Sequence, residues 1–525
     1  MSRRGRRGLP RLRSWAAPGL AGVLFVLLAA LLLPAAAWAR PGGGESYSGP
    51  SGGGGGGGDD GGGCVFLLLR LWLEFVIRYP VIGVPMTILM VIGFLIWKRR
   101  GGKLPQSWDS TALRTAPAQT APPARPRSQD LDALRERDPQ FSAVLFEDFV
   151  TALFARAHQA RSDAAALAGL APYLSEASRQ HLAGRQPVGA PVSGVVIGVV
   201  RVRDVTVPPG QGAPGSDPQS QVMLEIEANL TVAAGGPDER THYVQERWRL
   251  VRAAGVLSKG REQVKTFSCP NCGAPFSGAA GGGRCEYCGQ VVTDGRFDWS
   301  VAAIDLLRIE ERPPALAGTG GTVAETGTSF PTVFHPRLAA GKTELLRDDP
   351  AATDQALGAR VRLIHAELNA GWTALDLKPV RPYVSENLFH SLQYWIDAYR
   401  RQGLRNVLEG TRVVDLVLVK VTRDRAYDAV TYRVWGSGKD YTVRETTGDV
   451  VAGDRGKDRV YSEYWTLIRG AGVRGAPRAD KNCPNCGAPL AVNMAGRCEH
   501  CDADVASGDF DWVLSKIEQD DAYTG

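Results

Sequence analysis

Eight cysteines are the residues of this chain whose type and spacing point most directly to chemistry. They form two quartets, each built from two Cys-x2-Cys pairs, with 12 residues between the pairs in the first quartet and 11 in the second. The quartets are Cys269, Cys272, Cys285 and Cys288, and then Cys483, Cys486, Cys498 and Cys501. Four thiolates suit a tetrahedral ion, and Zn²⁺ readily takes that geometry with sulfur. The spacing therefore predicts two structural zinc sites with no coordination position left open for catalysis.

Other interpretations of the cysteines stay open at this stage. Iron could take the place of zinc, and disulfides could form if this part of the chain lay outside the reducing cytoplasm. His500, between Cys498 and Cys501, could replace one ligand, although an exposed or outer-sphere histidine is the simpler interpretation. The ninth cysteine, Cys64, is expected to be an unpaired thiol rather than a lipid attachment site.

Cysteine modules of this kind often bind nucleic acid, and the charge near the second quartet bears on that possibility. The nearby basic residues are outnumbered by acidic ones. They are Arg474, Arg478, Lys481 and Arg497 against Asp480, Glu499, Asp502, Asp504, Asp509 and Asp511. Phosphate contact needs a positive surface. A structural or protein-docking role is therefore favoured, with nucleic-acid binding as an alternative.

The net charge of the whole chain leads to the same conclusion. The six arginines before residue 40 by themselves equal the chain's net charge of +6, and residues 40–128 add five further positive charges. Residues 129–525 consequently carry a net charge of −5. The folded part lacks the basic character that nucleic-acid binding requires.

The amino terminus resembles an export signal. Residues 1–39 combine those arginines with an apolar stretch and end in Ala37-Trp38-Ala39, a small-x-small cleavage pattern. An uncleaved signal anchor is the alternative. Residues 40–64 are predicted to be a flexible tether, because 14 of the 22 residues from Gly42 to Gly63 are glycine.

One transmembrane helix is predicted next. Residues 65–98 hold an amphipathic segment followed by 19 uncharged residues, Tyr79–Trp97, which is enough to cross a bilayer as a helix. Lys98, Arg99 and Arg100 follow directly and indicate that this end is cytoplasmic. We expect a single-pass protein of the cell (inner) membrane that contacts lipid there, with a disordered linker at 99–135 and cytoplasmic domains after it.

The remaining chain repeats four landmarks in one order, which predicts a tandem duplication. The paired strings are Pro172–Glu176 with Pro382–Glu386, Glu246–Arg252 with Glu463–Arg469, Cys269–Pro275 with Cys483–Pro489, and Phe297–Trp299 with Phe510–Trp512. Each half should contain a mixed domain followed by a zinc ribbon. The predicted bounds are 136–266 for the first domain, 267–312 for ribbon 1, 313–344 for a linker, 345–472 for the second domain and 481–515 for ribbon 2.

Hydrophobic periodicity places helices before strands in each half. Helices are predicted at 141–160 and 173–182, and again at 352–369 and 384–402. The predicted strands are 194–207, 221–233 and 242–252, and then 412–421, 426–435, 440–445 and 459–468. This order predicts an α+β class, with helices on one face of a curved antiparallel sheet in each of two tandem domains.

The second half carries a resemblance to a known family. The strings that carry it are Trp372, Arg381–Tyr383, Trp395, Gly403–Asn406, Tyr427–Thr431, Asp440–Val443, Thr447-Gly448 and Glu463–Arg469. These residues resemble bacterial membrane proteins whose domain is similar to the C-terminal domain of mitochondrial import translocase subunit forty-four, a group sometimes labelled zinc-ribbon transport proteins. The first half lacks the Tyr-Asp-Ala-Val-Thr and Asp-Tyr-Thr-Val strings. The resemblance implies a cystatin-like or cone-like fold with an apolar pocket, membrane association, partner binding and a transport-related role.

Aromatic residues are frequent in the second half and allow two interpretations. The set is Trp372, Tyr383, Phe389, Tyr394, Trp395, Tyr399, Trp435, Tyr441, Tyr464 and Trp465. A pocket lining for an apolar ligand or peptide is one interpretation, and ordinary core packing is the favoured one.

Catalysis has little support in the sequence. No phosphate loop, nucleophile elbow or metalloprotease motif is present. Asp428 and Asp440 are predicted on adjacent strands and could serve a small-molecule enzyme of cone-like fold, but solvated strand acids are favoured. The sequence therefore predicts no catalytic residue. It favours a membrane-anchored, zinc-binding adaptor or scaffold that binds protein, or lipid, at the cytoplasmic membrane face.

Overall fold

A computed structural model describes residues 131–208, 218–233, 239–261, 267–279, 281–311, 316, 327–520 and 522–525. The helices and strands given below all belong to one compact unit. The predicted signal, tether and transmembrane helix lie outside the described residues. Within the described ranges, no helix is both long and apolar enough to cross a membrane.

The first half (residues 131–311) begins with four helices. These are α1 (Asp132–Arg137), α2 (Ala143–Ala160), α3 (Ala164–Gly169) and α4 (Glu176–Ala183). The longest, α2, begins where the Ser142 hydroxyl accepts a hydrogen bond from the Leu145 amide, a normal N-cap. Its apolar face buries Phe149, Leu153 and Phe154 against the first sheet. This amphipathic pattern is the reason that the sequence predicts the helix correctly.

The first sheet is an antiparallel meander of four strands in chain order. The strands are β1 (Val192–Thr206), β2 (Gln219–Ala233), β3 (Glu239–Ala253) and β4 (Ser300–Glu311). The first three coincide with the predicted strands to within a few residues. The fourth was not predicted as a strand, because it follows the cysteine quartet and its pairing with β3 is non-local.

The second half (residues 327–525) repeats this order. Its helices are α5 (Leu338–Asp348), α6 (Asp354–Ala374), a 3-10 helix (Lys378–Tyr383) and α7 (Glu386–Arg401). Its sheet contains β5 (Leu404–Arg423), β6 (Tyr427–Arg444), β7 (Val450–Gly470) and β8 (Val513–Gln519), again antiparallel and in chain order. The structure therefore confirms the α+β class and shows two four-stranded antiparallel sheets with helices.

The strands of the second sheet are longer than predicted. The two segments predicted at 426–435 and 440–445 form one continuous strand, β6, which passes through Gly436 and Gly438. Glycine here does not end the strand, because the Tyr461 ring of β7 lies over Gly436: a Cβ at that position would fall 2.2 Å from the ring carbon Cζ. A glycine inside a strand commonly marks such a close approach. A tight turn at Thr447-Gly448-Asp449 joins β6 to β7, with Gly448 at φ +74°.

Two of the repeated landmarks occupy matching places in the two sheets. Leu174, just before α4, forms a parallel bridge to Val301 of β4, and Val384, just before α7, forms one to Leu514 of β8. In each half the strand that follows the cysteines is therefore paired on both sides. The two halves consequently have the same arrangement of elements around their fourth strands.

A buried arginine–aspartate pair links the helices to the sheet in each half. Arg252 at the end of β3 lies 2.9 Å from Asp138, the C-cap of α1. Arg469 at the end of β7 lies 2.7 Å from Asp349, the C-cap of α5. All four side chains are almost completely buried. Removing one partner of such a pair leaves an uncompensated buried charge, so each pair fixes the position of its first helix.

The two halves also pack against each other. Leu145 of α2 joins a small apolar cluster with Ala429 of β6, Ile468 of β7 and Val513 of β8. Polar contacts extend this interface, since Lys516 lies 2.6 Å from Glu147 and the Asn387 side chain donates to Asp148 at 2.7 Å. One face of helix α2 therefore packs in the core of the first half, and another face packs against the outer face of the second sheet.

Candidate metal centres

The first cysteine quartet is assembled into one compact cluster. Its four sulfur atoms all lie within 4.8 Å of one another. The Sγ atoms of Cys269 and Cys288 are 3.9 Å apart, and those of Cys272 and Cys285 are 3.8 Å apart. The two Cys-x2-Cys pairs, distant in sequence, therefore meet across a single point.

The second quartet has nearly the same dimensions. The Sγ atoms of Cys483 and Cys501 are 3.8 Å apart, and those of Cys486 and Cys498 are 4.0 Å apart. A tetrahedral metal ion with metal–sulfur bonds of about 2.3 Å requires sulfur–sulfur edges of about 3.8 Å. Both clusters fit that requirement and could each hold a metal ion. The separations are about twice the length of a disulfide bond, about 2 Å.

All four Cys-x2-Cys turns use one backbone hydrogen-bond pattern. In the first turn the Cys269 amide donates to the Ala274 carbonyl at 2.8 Å, and the Gly273 amide donates to the Cys269 carbonyl at 2.9 Å. Gly273 adopts φ +76°, which a glycine accommodates without strain. The turn folds the chain back so that both cysteines face the same point.

The position after the last cysteine differs between the quartets. Gly289 follows Cys288 with φ +70°, whereas Asp502 follows Cys501 with φ +58°. Aspartate is among the few non-glycine residues that enter this region with some regularity. The two centres therefore share a backbone path even where the residue type changes.

Each cluster also receives a side-chain amide that the sequence analysis did not assign. The Asn271 Nδ2 lies 3.4 Å from Cys288 Sγ, and the Asn485 Nδ2 lies 3.3 Å from Cys501 Sγ. These donors, together with the backbone amides of Gln290 and Ala503, lower the pKa of the Cys288 and Cys501 thiols to about 6. A lowered pKa favours the thiolate, which is the form that binds metal. The asparagine recurs in both Cys-Pro-Asn-Cys strings, so the sequence contained the signal for this contact.

His500 does not belong to the second cluster. Its side chain is exposed, and only its backbone amide approaches a sulfur atom, that of Cys498 at 3.4 Å. The group of residues close enough to share a metal ion consists of the four cysteines. The simpler of the two interpretations of His500, an exposed histidine outside the ligand set, agrees with this geometry.

The chain returns from each cluster to its sheet through a Phe-Asp-Trp string. The Asp298 carboxylate accepts a hydrogen bond from the Trp299 amide at 2.8 Å, and the Asp511 carboxylate accepts one from the Trp512 amide at 2.7 Å. The Arg252 guanidinium lies 4.6 Å from the Trp299 ring centroid, and Arg469 lies 4.4 Å from that of Trp512. The same arginines that hold the first helix of each half thus also cover the tryptophan that starts the fourth strand.

Two buried arginines attach the second cysteine module to the adjoining core. Arg381 donates from Nε to the Met494 carbonyl at 3.0 Å. Arg360 donates from Nε to the Trp512 carbonyl at 2.9 Å and from Nη1 to the Arg478 carbonyl at 3.1 Å. Both guanidinium groups belong to the helical layer of the second half and donate to backbone carbonyls in or next to the cysteine module. The module is therefore packed against the helices of the second half.

The aromatic residues of the second half pack mainly in its core. Eight of the ten are buried: Trp372, Tyr383, Phe389, Trp395, Tyr399, Tyr441, Tyr464 and Trp465. Most of these contribute to one apolar cluster between the helices and the sheet. The favoured interpretation, core packing, agrees with this placement. A cavity of about 290 Å³ lies instead between the halves, lined by α1, α2, β1 and the outer face of the second sheet.

The two aspartates considered as possible catalytic acids do not form a pair. They lie on the same strand, β6, and not on adjacent strands. Twelve residues of extended chain separate them by tens of ångströms. Neither is solvated: Asp428 is buried 2.7 Å from Arg423, and Asp440 is buried 2.8 Å from Arg459. The expectation of solvated acids on two strands was wrong. The paired arginines lie on the neighbouring strands β5 and β7, and they reach the aspartates only once the sheet has formed.

Comparison with known families supports the resemblance in the second half. Residues 338–477 match the family of Tim44-like domains. This range runs from the start of α5 past the end of β7 and stops before Cys483. A search of the curated proteins finds no match to the chain.

Proposed function

We propose that the chain is a membrane-anchored adaptor that carries two structural zinc ions and binds a protein partner at the cytoplasmic face of the membrane. The observation that carries this proposal is the Tim44-like domain at residues 338–477, which suggests a translocation-related scaffold. Membrane anchoring rests on the apolar sequence Tyr79–Trp97 and the basic residues that follow it. Membership of the bacterial zinc-ribbon transport group is part of the same proposal.

Zinc is the metal that the donor set favours. Four cysteine sulfurs at tetrahedral separations suit Zn²⁺, and closed four-ligand sites are structural. The proposed ligands are the eight cysteines of the two quartets. Metal analysis of the full-length protein should find two zinc ions per chain, and C483S/C486S should retain one. A metal-free protein or bound iron would contradict this part of the proposal.

Binding rather than catalysis is the proposed activity. The pairing of Asp428 and Asp440 with arginines supports this, since both carboxylates are already engaged. The acidic balance near the second quartet supports a protein partner over nucleic acid.

Crosslinking in cells tests the adaptor proposal. A photo-crosslinking amino acid at Val414 or Val450, both exposed in the second half, should capture a discrete protein in the membrane fraction. The same probe at Val188, exposed in the first half, serves as the matched control. Equal capture at all three positions, or lipid adducts alone, would contradict a protein-binding role for the second half.

A reporter fused after Gly525 tests the orientation. Activity of a cytoplasmic reporter, with no activity of an extracytoplasmic one, is the expected result. The reverse pattern would overturn both the proposed localisation and the reducing environment that the thiolates need.

A further inference from the structure

A buried arginine without a partner lies in the first half. Arg161, the C-cap of α2, is only 5% exposed. Its Nε and Nη2 atoms are fully buried and form no hydrogen bond with any residue that the structure describes. Buried polar groups in native proteins are almost always hydrogen-bonded, so each exception calls for a physical explanation.

The groups around Arg161 do not neutralise it. Glu246 of β3 is fully buried and lies 2.9 Å from Arg185, 3.3 Å from His158 Nε2, and 2.8 Å from the Trp248 indole nitrogen that donates to it. This one carboxylate already serves Arg185, so two guanidinium groups share a single negative charge. Arg185 Nη1 is a further buried donor that forms no hydrogen bond within the described residues. Glu246 Oε1 has no hydrogen-bond partner there either, although it lies 2.9 Å from Arg185 Nη2.

Arg161 directly follows the helical turn that carries His158: its amide donates to the His158 carbonyl at 3.4 Å, and the His158 ring faces Glu246. Burial lowers the pKa of Arg161, repulsion from Arg185 lowers it further, and only Glu246 raises it. Arginine nevertheless remains protonated at physiological pH, because its ordinary pKa is above 12. The two guanidinium groups and the one carboxylate of this cluster therefore leave one positive charge uncompensated.

The second half shows what the same position holds without that charge. Helices α2 and α6 begin at side-chain N-caps, Ser142 and Thr353, so positions along them can be counted from the same point. Nineteen residues beyond each cap, the count reaches Arg161 in the first half and Trp372 in the second. Trp372 is completely buried in the apolar core.

A second buried arginine lies beside the same glutamate. Arg185 follows Gly184, the C-cap of α4, and is only 6% exposed. Its guanidinium approaches Glu246 to 2.9 Å, so the segment after α4 adds a second cation to this part of the interior.

We propose that this cluster of Arg161, Arg185, His158 and Glu246 binds a small oxyanion. A water molecule could accept hydrogen bonds from the free donors but could not offset the charge, whereas an anion does both. Guanidinium groups select oxyanions because their planar N–H fork matches two oxygen atoms.

Inorganic phosphate is the probe for this site. Thermal unfolding of the full-length protein is measured while phosphate replaces chloride at constant ionic strength. A saturable rise in Tm of about 5 °C is expected for the wild type, because a ligand that binds only the folded state stabilises it. The R161L variant should lose this rise, whereas R249L, which removes an exposed arginine of β3, should keep it.

Each result decides for or against the site. In phosphate-free buffer R161L should be at least as stable as the wild type, because it removes an unpaired buried charge. An R161L chain that fails to fold would therefore overturn the proposal, as would an equal phosphate response in R161L and wild type. If chloride and phosphate stabilise the protein equally, the claim that the site selects oxyanions is overturned. Because none of these measurements involves a partner or the membrane, they are independent of the adaptor proposal.

Discussion

The glycine after each first Cys-x2-Cys pair has a role that can be tested at a single residue. Gly487 adopts φ +75°, and a Cβ added there would meet nothing within 4 Å. The cost of Gly487→Ala is therefore backbone strain alone, about 1–2 kcal/mol. Because folding of such a module is coupled to metal binding, we expect roughly tenfold weaker zinc retention in a chelator competition assay.

Gly472→Ala is the matched control for that variant. Gly472 also has open space around it, but its φ is not in the left-handed region. Alanine there should leave zinc retention unchanged. Equal effects of the two substitutions would show that the left-handed conformation of Gly487 is not what holds the turn.

The buried carboxylate of Glu246 makes the first half sensitive to acid. Burial would raise its pKa, but the charge of His158 and its hydrogen bond, together with Arg185 and Trp248, lower the pKa to about 2. A pKa that is lower in the folded state stabilises the fold above the ordinary value of 4.5, and this stabilisation disappears as the pH falls toward 2.

Glu246→Gln should therefore destabilise the protein by about 3 kcal/mol at pH 7, since it leaves buried cations without their counter-charge. Urea unfolding at pH 7 and pH 3 should show the difference between wild type and variant shrinking at the lower pH. The exposed Glu136→Gln in α1 is the control and should change stability by less than about 0.5 kcal/mol. A difference that is constant with pH would contradict the assigned pKa.

At the scale of the element, the fourth strand of each sheet depends on the cysteine cluster that precedes it. Val513–Gln519 follows the second quartet, and Ser300–Glu311 follows the first. In C483S/C486S, hydrogen exchange should accelerate in β8 while β4 keeps its protection, and C269S/C272S should give the converse. The two double variants are each other's control. Unchanged exchange in both would mean that the clusters are dispensable for the sheets.

The sequence predicted the elements whose signals are local. Both cysteine quartets follow from spacing, and α2 follows from its apolar periodicity. Strands β4 and β8 were missed because their assignment depends on pairing with β3 and β7, across a cysteine module. The burial of Asp428 was missed for a related reason: only the folded sheet brings Arg423 and Arg474 to it.

At the scale of the whole molecule, the contact between the halves should make them unfold together. Leu145 is buried at this contact although it belongs to a helix of the first half. Leu145→Asp places a charge among apolar side chains of the second half, and we expect the single thermal transition to separate into two. Differential scanning calorimetry measures this. Val450→Asp, at an exposed position, should leave one transition.

The position of the cysteine clusters ahead of the last strand has a consequence for synthesis in the cell. Until residue 311 has left the ribosome, β3 presents a bare edge, and β7 does so until residue 519. Open edges are templates for aggregation. A cell short of the metal would leave these edges uncovered for longer, so metal supply acts on the yield of native protein through chaperones and proteases before it acts on any finished molecule.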